Sequence, residues 1–356
     1  MEKKHYMLLD IYRFLASVAV FLYHIDTRIY PFLENLENGF LGVDFFFVLS
    51  GFVITNMVIP DVLSGSFKPK LFLLRRLARL MPGILVLNLL LLPTASGQID
   101  VYLSGIFFSV FYLSDIYPVM NFLCGNSLEY PINVAQCWSL AVEEQFYILF
   151  SFTIRYYNVV VNLFNRRLYL IFLIFLIITV ISEYVMGKWF YKFPLWRMCE
   201  ILLGVLISLF RLFDNVLIKK LCSKIYPVIV SLILIFYLLK HNDISKLYFP
   251  LIHIIFALLS FLLVLFSVAW ERNMQNNSLR KLIVKLAFLG KYSYGLYLYH
   301  LALFLVVPRF LNFSQELEYG IVSCMLLLIS FLSYHLVENP IKIYVNKKIS
   351  ILEKSL

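Results

Sequence analysis

Charged side chains are scarce in this chain: they make up 15% of its 356 residues, while apolar residues make up 62%. This composition excludes an ordinary water-soluble domain and indicates a polytopic membrane protein. The sequence also lacks an internal repeat, a low-complexity tract and any basic stretch that alternates with stacking aromatic residues. A nucleic-acid partner is therefore not expected, and the net charge of +10 needs another explanation.

Cysteine is also rare, and its spacing does not suggest a metal site. The five cysteines follow no pattern of metal ligands, so we expect no bound metal. Cys124 and Cys137 alone fall in one predicted outer segment. A disulfide between them and two unbonded thiols are both compatible with the sequence.

The long apolar runs predict an all-α integral membrane protein with a bundle of about ten transmembrane helices. An inner N-terminus places most of the 31 basic residues on the inner side, so the positive-inside rule predicts that both termini are cytoplasmic. The predicted spans lie near residues 8–27, 39–59, 78–96, 138–156, 168–186, 196–212, 225–240, 247–270, 286–308 and 319–337.

Residues 99–118 are apolar enough to suggest an eleventh span. Counting them as one would invert every later loop and turn Arg166, Arg167, Lys219 and Lys220 outward. We therefore interpret 97–137, which contains no Lys or Arg, as one outer segment with a re-entrant or surface-lying piece.

Arg13 and His24 interrupt the first apolar run. Eleven residues at 100° each make three turns plus about 20°, so both side chains lie on one helical stripe, about 16 Å apart along the axis. Ionisable residues inside a membrane helix usually face the bundle interior and serve a function. His24 is thus a candidate general base, the alternative being a polar anchor at the outer interface.

Asp44 begins the second span at the same predicted depth as His24. It could orient the His24 imidazole and stabilise its charged form, as the acid of a hydrolase triad does. Alternatively, Asp44 only complements the dipole of its own helix.

Arg75, Arg76 and Arg79 form a basic cluster just inside the third span. Guanidinium groups suit bidentate phosphate binding, but arginines at this position also satisfy the positive-inside rule. In the sixth span, Arg197 and Glu200 are spaced to form a structural ion pair.

The fourth span opens with two adjacent acids, Glu143 and Glu144. The helix dipole favours acids in a first turn, but these two point about 100° apart, so a single solvated face does not account for both. We expect one of them to be functional.

Ser293, Tyr297 and His300 form one polar face of the ninth span, at i, i+4 and i+7. Aromatic belts explain tyrosines at interfaces but not an aligned hydroxyl, phenol and imidazole. Glu338, at the end of the last predicted span, can be explained as a helix terminus.

In this order, these blocks resemble the acyltransferase 3 family of bacterial membrane proteins. One departure is Tyr299, which precedes His300 where the family commonly has Trp. The resemblance covers nearly the whole chain and rests on Arg13 to His24, Gly42 to Phe52, Arg75 to Pro82, Trp138 to Tyr147, Ser293 to His300, and Glu338 with Pro340.

The resemblance implies an O-acyltransferase, most often an O-acetyltransferase, that moves an acyl group from cytoplasmic acyl-CoA across the membrane to a hydroxyl of an extracytoplasmic glycan. It implies acyl-CoA as donor substrate, with no tightly bound cofactor, and a polysaccharide or lipid-linked glycan as acceptor. The resemblance implies that His24 is the catalytic residue, that Arg13 is its partner, and that the inner arginines Arg75, Arg76 and Arg79 bind the donor. From their positions in the sequence we add Asp44 and Glu143 as catalytic candidates. The candidate substrate or channel residues are Ser50, Trp138, Ser139, Glu144, Ser293, Tyr294, Tyr297, His300 and Glu338.

Some members of the family carry an additional soluble domain. We expect residues 1–345 to form the acyltransferase 3-like transmembrane domain and residues 346–356 a short cytoplasmic tail, with no soluble domain. The competing interpretations are a transporter or flippase lined by the same charges, and a protein whose polar residues only hold helices together.

Overall fold

The computed structural model describes residues 5–25, 38–95, 98–125, 131, 135–157, 177, 192, 194–240, 249–274, 278–310 and 313–355. This part of the chain is helical and contains no strand, in agreement with the predicted all-α class. The predicted span at 168–186 falls almost entirely outside the described residues. The helices are α1 (Met7–Tyr23), α2 (Gly42–Leu63), α3 (Pro69–Leu91), α4 (Ile99–Val110), α5 (Ile116–Leu123), α6 (Trp138–Thr153), α7 (Pro194–Leu209), α8 (Val216–Leu221), α9 (Tyr226–Lys240), α10 (Phe249–Asn273), α11 (Ser278–Ala287), α12 (Ser293–Phe310), α13 (Gln315–Ser333) and α14 (Asn339–Ser355).

The chain divides into two compact units. Unit 1 comprises Met1–Phe67 and Ile154–Ser293, and unit 2 comprises Lys68–Thr153 and Tyr294–Leu356. Among the described residues, four helices are long and apolar enough to cross a membrane: Gly39–Leu63, Pro69–Ala95, Leu251–Asn273 and Gln315–Glu353. Ile99–Val110 and Tyr226–Leu239 are apolar but shorter.

Two predicted spans differ in extent from the helices. Most of 286–308 lies in α12, while its first residues end α11 and form a 3-10 turn at Phe288–Lys291. The helix that contains 319–337 continues beyond residue 337. A π-helical segment, Tyr334–Glu338, connects α13 directly to α14, so the predicted tail is part of a helix and Glu338 is not its terminus.

In unit 1, a distant carboxylate caps the start of α1. Glu271, at the end of α10, accepts hydrogen bonds from the backbone N–H groups of Met7 (2.8 Å) and Leu8 (3.1 Å). The first N–H groups of a helix have no partner within it, so this carboxylate satisfies two of them and complements the positive end of the helix dipole.

Also in unit 1, α2 and α7 pack with their backbones in contact. A Cβ atom at Gly51 would lie 1.9 Å from the Ile201 carbonyl oxygen, and one at Gly204 would lie 1.8 Å from the Val48 carbonyl oxygen. Small residues allow this kind of close approach between membrane helices. The two glycines therefore fix how closely α2 and α7 pack.

We predict that Gly204→Ala lowers the free energy of unfolding by about 3 kcal/mol or more, since a backbone carbonyl cannot yield as a side chain can. Gly320→Ala, at an exposed position of α13, is the matched control, because its Cβ would meet nothing within 4 Å. The control should be neutral or slightly stabilising. Denaturant unfolding in detergent micelles measures both variants, and equal effects would contradict the backbone-contact argument.

Candidate active site

His24 follows directly on the end of α1 and is half-buried. Its Nδ1 lies 2.8 Å from the Val20 carbonyl oxygen. A carbonyl only accepts, so Nδ1 carries the proton of the neutral ring and Nε2 presents a lone pair. Arg13 is half-buried on the same helix. The local geometry thus leaves His24 with a basic nitrogen in a defined tautomer.

Asp44 does not pair with His24, contrary to the sequence-based expectation. Its Oδ1 accepts from Arg197 Nη1 at 2.7 Å, and its Oδ2 accepts from His253 Nδ1 at 2.5 Å. Asp44 lies in the first turn of α2, and the bonds it forms are to α7 and α10. A guanidinium and an imidazole therefore occupy both carboxylate oxygens.

The predicted ion pair between Arg197 and Glu200 is confirmed, with Arg197 Nη1 2.8 Å from Glu200 Oε1. With Asp44 and His253, these residues form a fully buried group of four, which we call the Arg197 quartet. Asp44, Glu200 and His253 place one potential metal-ligand atom each within 4.8 Å of one another. However, the guanidinium bonds to both carboxylates, so it already supplies the cation at this point.

In unit 2, the Arg76 side chain is sandwiched between an acid and a ring. Its Nη2 lies 3.4 Å from Glu144 Oε1, and its guanidinium carbon lies 4.3 Å from the centre of the Tyr147 ring. The Tyr147 hydroxyl donates to Glu143 Oε2 at 3.1 Å. Glu143 and Glu144 are both buried. Glu144 contacts Arg76 directly and Glu143 is linked to it through Tyr147, so both acids belong to one polar group with Arg76.

The three arginines of α3 do not act as one cluster. Arg75 Nη2 pairs with Glu353 Oε1 of α14 at 2.7 Å and is partly exposed. The half-buried Arg79 interacts electrostatically with Glu144 and with Glu338. Arg76 and Arg79 therefore face the buried acids, whereas Arg75 faces the C-terminal helix.

The polar face predicted for the ninth span lies on α12, and its residues are buried. The Tyr297 hydroxyl lies 2.6 Å from Ser139 Oγ, next to the buried Trp138. His300 Nδ1 lies 2.6 Å from the Tyr297 carbonyl oxygen, the same arrangement that fixes the His24 tautomer.

Three other predicted residues lie on α12 and α2. Ser293 donates to the Gly290 carbonyl oxygen at 2.8 Å, where α12 begins. The Tyr294 hydroxyl donates to the Leu80 carbonyl oxygen at 2.7 Å. Ser50 is half-buried on α2.

The π-helical segment explains why Glu338 has close polar neighbours. Its Oε1 accepts from Ser333 Oγ at 2.7 Å and from the Tyr299 hydroxyl at 3.3 Å. Residues five apart on an α-helix point about 140° away from each other, whereas the i→i+5 repeat of a π-helix brings them onto one face. The wider turn thus creates the contact between Ser333 and Glu338.

Comparison with known proteins supplies the assignment. The acyltransferase 3 family model, described as an acyltransferase domain, matches residues 8–335. This chain belongs to that family. No solved structure matches it.

This chain is 28% identical to "Putative O-acetyltransferase SAS0844" of Staphylococcus aureus strain MSSA476, over 96% of this chain and 58% of the relative. It is also 28% identical to O-acetyltransferase OatA of Staphylococcus aureus strain NCTC 8325 / PS 47, over 94% of this chain and 57% of OatA. The chain therefore spans somewhat more than half the length of these curated relatives.

Two polar features of the structure are not predicted by the sequence motifs. His253 sits in the apolar run of α10, and an ionisable residue there is by itself a signal of function or pairing. The turn between α4 and α5 holds Tyr112 and Asp115, and Gln145 of α6 donates to the Tyr112 carbonyl oxygen (2.9 Å) and to Asp115 Oδ1 (2.8 Å). No sequence motif marks that turn.

Cys124 is exposed and Cys137 is buried, and they do not form a disulfide.

We predict that Arg197→Gln destabilises the protein by about 3–5 kcal/mol, because it leaves two carboxylates buried without their cation. Adding Glu200→Gln should recover part of this loss by removing one of the two acids. Unfolding in detergent measures the single and double variants. A double variant less stable than Arg197→Gln would refute the charge-pairing explanation.

Asp115 should make stability depend on pH. Burial raises the pKa of Asp115 to about 6, although its hydrogen bond from Gln145 lowers it. The folded state therefore holds this proton more tightly than the unfolded state, and stability falls as pH rises from about 4 to about 6, by up to about 3 kcal/mol. In Asp115→Asn, the thermal-unfolding midpoint should no longer fall with rising pH across this window. An unchanged pH profile in the variant would show that Asp115 is not responsible.

Proposed function

We propose that this chain is an O-acetyltransferase of the plasma membrane of a bacterium, which transfers an acetyl group from cytoplasmic acetyl-CoA to a hydroxyl of an extracytoplasmic glycan. Membership in the acyltransferase 3 family carries this proposal. The names of the O-acetyltransferase relatives support an ester-forming reaction. His24, whose Nδ1 lies 2.8 Å from the Val20 carbonyl oxygen, is the proposed base that such a reaction needs.

In the proposed reaction, His24 Nε2 takes the proton of the acceptor hydroxyl while the hydroxyl oxygen attacks the thioester carbonyl carbon. The C–S bond breaks, and the coenzyme A sulfur leaves with the proton, so an ester and a free thiol are formed. The Val20 carbonyl holds Nδ1–H and stabilises the positive ring that forms during proton transfer. Arg13, on the same helical stripe, is its proposed partner.

Arg76 and Arg79 are the proposed contacts for the phosphate groups of the donor. Guanidinium groups bind phosphate in a bidentate manner, and the neighbouring Glu144 holds the Arg76 side chain in place until the donor arrives. Arg75 contributes less in this scheme, since Glu353 already pairs with it.

We further propose ten spans with both termini in the cytoplasm. In this topology, α4 and α5 form a re-entrant piece of the outer segment at 97–137. With 12 and 8 residues they are about 18 and 12 Å long, too short to cross a hydrocarbon core of about 30 Å. The turn between them is buried and bonded to Gln145 of α6, which favours re-entry over a position on the surface.

We predict that His24→Ala abolishes acetylation without changing membrane insertion or the unfolding midpoint, because it removes the proposed base from a half-buried position just after the end of α1. His5→Ala is the matched control, as His5 is an exposed residue of the same unit. Cells that lack the protein are complemented with each version, and their surface glycans are analysed by mass spectrometry.

An acetyl-sized mass increase should appear with the native chain and with His5→Ala, but not with His24→Ala. If His24→Ala acetylated like the native chain, His24 would not be the base. If glycan export changed and glycan mass did not, a transporter would replace the enzyme. Rapid quenching with labelled acetyl-CoA shows whether His24 becomes acetylated or acts only as a base.

A further inference from the structure

The α4–α5 turn is held in a strained conformation. Tyr112 has φ of 55°, in the left-handed region that residues with a side chain rarely occupy. This conformation is unfavourable for an aromatic residue, and such strain is often found at ligand sites. The two hydrogen bonds from the Gln145 amide hold the turn in this conformation.

Three buried polar atoms in the same turn lack a hydrogen-bond partner among the described residues. They are the Tyr112 hydroxyl, Ser114 Oγ and Asp115 Oδ2. Tyr112 is 8% exposed, and Ser114 and Asp115 are 0% exposed. An unsatisfied buried polar group is destabilising, so folded proteins carry few of them. Three within four residues, in a strained turn, point to a ligand.

The chemistry of these groups selects the ligand class. A carboxylate oxygen needs a hydrogen-bond donor, a phenol donates, and a serine hydroxyl does either. Sugar hydroxyls provide both donors and acceptors. A phosphate provides acceptors only, and the negative charge of Asp115 would repel it. The turn therefore matches a neutral glycan better than the phosphate groups of acetyl-CoA.

The turn also lies near the groups proposed to hold the donor. Burial raises the pKa of Tyr112 above its ordinary value, and the negative charge of Glu144 raises it further, while the Arg76 guanidinium opposes this. The phenol therefore stays protonated as a donor and lies within electrostatic reach of the pair formed by Arg76 and Glu144.

We propose that the α4–α5 turn binds the acceptor, with the Tyr112 hydroxyl donating to a sugar oxygen and Asp115 Oδ2 accepting from a sugar hydroxyl. This inference rests on the proposed function and gives its acceptor a binding site. In the proposed topology, the glycan reaches the turn from outside, because α4 and α5 re-enter from the outer segment.

The test uses purified full-length protein, acetyl-CoA, and surface glycan isolated from cells that lack the protein. Tyr112→Phe and Asp115→Asn each remove one proposed contact. Tyr102→Phe is the matched control, because the Tyr102 hydroxyl on α4 already donates to the Asn88 carbonyl oxygen within the protein. Steady-state kinetics give separate KM values for glycan and for acetyl-CoA, and thermal unfolding with and without glycan measures binding without catalysis.

We expect Tyr112→Phe and Asp115→Asn to raise KM for glycan about tenfold, the loss of about one hydrogen bond, and to leave KM for acetyl-CoA unchanged. Both should also reduce the stabilisation that glycan gives to the native protein. Tyr102→Phe should lower the unfolding midpoint and leave both KM values unchanged.

A raised KM for acetyl-CoA would overturn the assignment by placing the turn at the donor. Unchanged KM values in both variants would overturn it as well. If the native chain bound glycan but transferred no acetyl group, the proposed function would fail while the binding site stood. If glycan did not stabilise the native chain, the binding site would fail whatever the activity.

Discussion

A guanidinium buried among apolar helices must be neutralised, and the packing of unit 1 is arranged around this requirement. Arg197 on α7 meets Asp44 on α2 and Glu200 one turn further along α7. His253 on α10 bonds to the second oxygen of Asp44. Three helices are therefore joined at this point, α2 to α7 through the Arg197 guanidinium and α2 to α10 through the Asp44 carboxylate, and the glycine contacts between α2 and α7 hold their backbones close together. Removing Arg197 would leave two carboxylates without compensation in a low-dielectric interior.

Two histidines have their tautomer fixed in the same way. In both His24 and His300, Nδ1 lies next to a backbone carbonyl three or four residues earlier. A carbonyl of the same helix thus sets the tautomer of each ring. This explains how His24 can have a defined basic nitrogen although Asp44 is committed to Arg197 and His253. It also means that substitutions around Asp44 would act on the packing of α2 rather than on the imidazole of His24.

Much of the fold and part of the candidate site could be predicted from the sequence, and the wrong or missing predictions have physical causes. Apolar runs predicted the helical class, and the i, i+3 spacing predicted the pair of Arg197 and Glu200, because both signals are local. The partner of Asp44 could not be predicted, since it depends on which helices pack together, and depth along a span does not decide that. The bonds of Glu338 were missed because a π-helical turn changes which residues share a face. The turn at Tyr112 was missed because its polar groups are brought together by Gln145 from a distant helix.

The π-helical segment at Tyr334–Glu338 has a consequence for related chains of slightly different length. A π-turn accommodates one extra residue and leaves the helices on both sides in phase. A homologue one residue shorter at this point would therefore keep the faces of α13 and α14, including the pairing of Glu353 with Arg75. It would lose the contact between Ser333 and Glu338, since residues there would return to α-helical spacing. A single-residue gap in an alignment at this position would thus mark a change in the buried polar group around Tyr299, even though the gap falls within an unbroken helix.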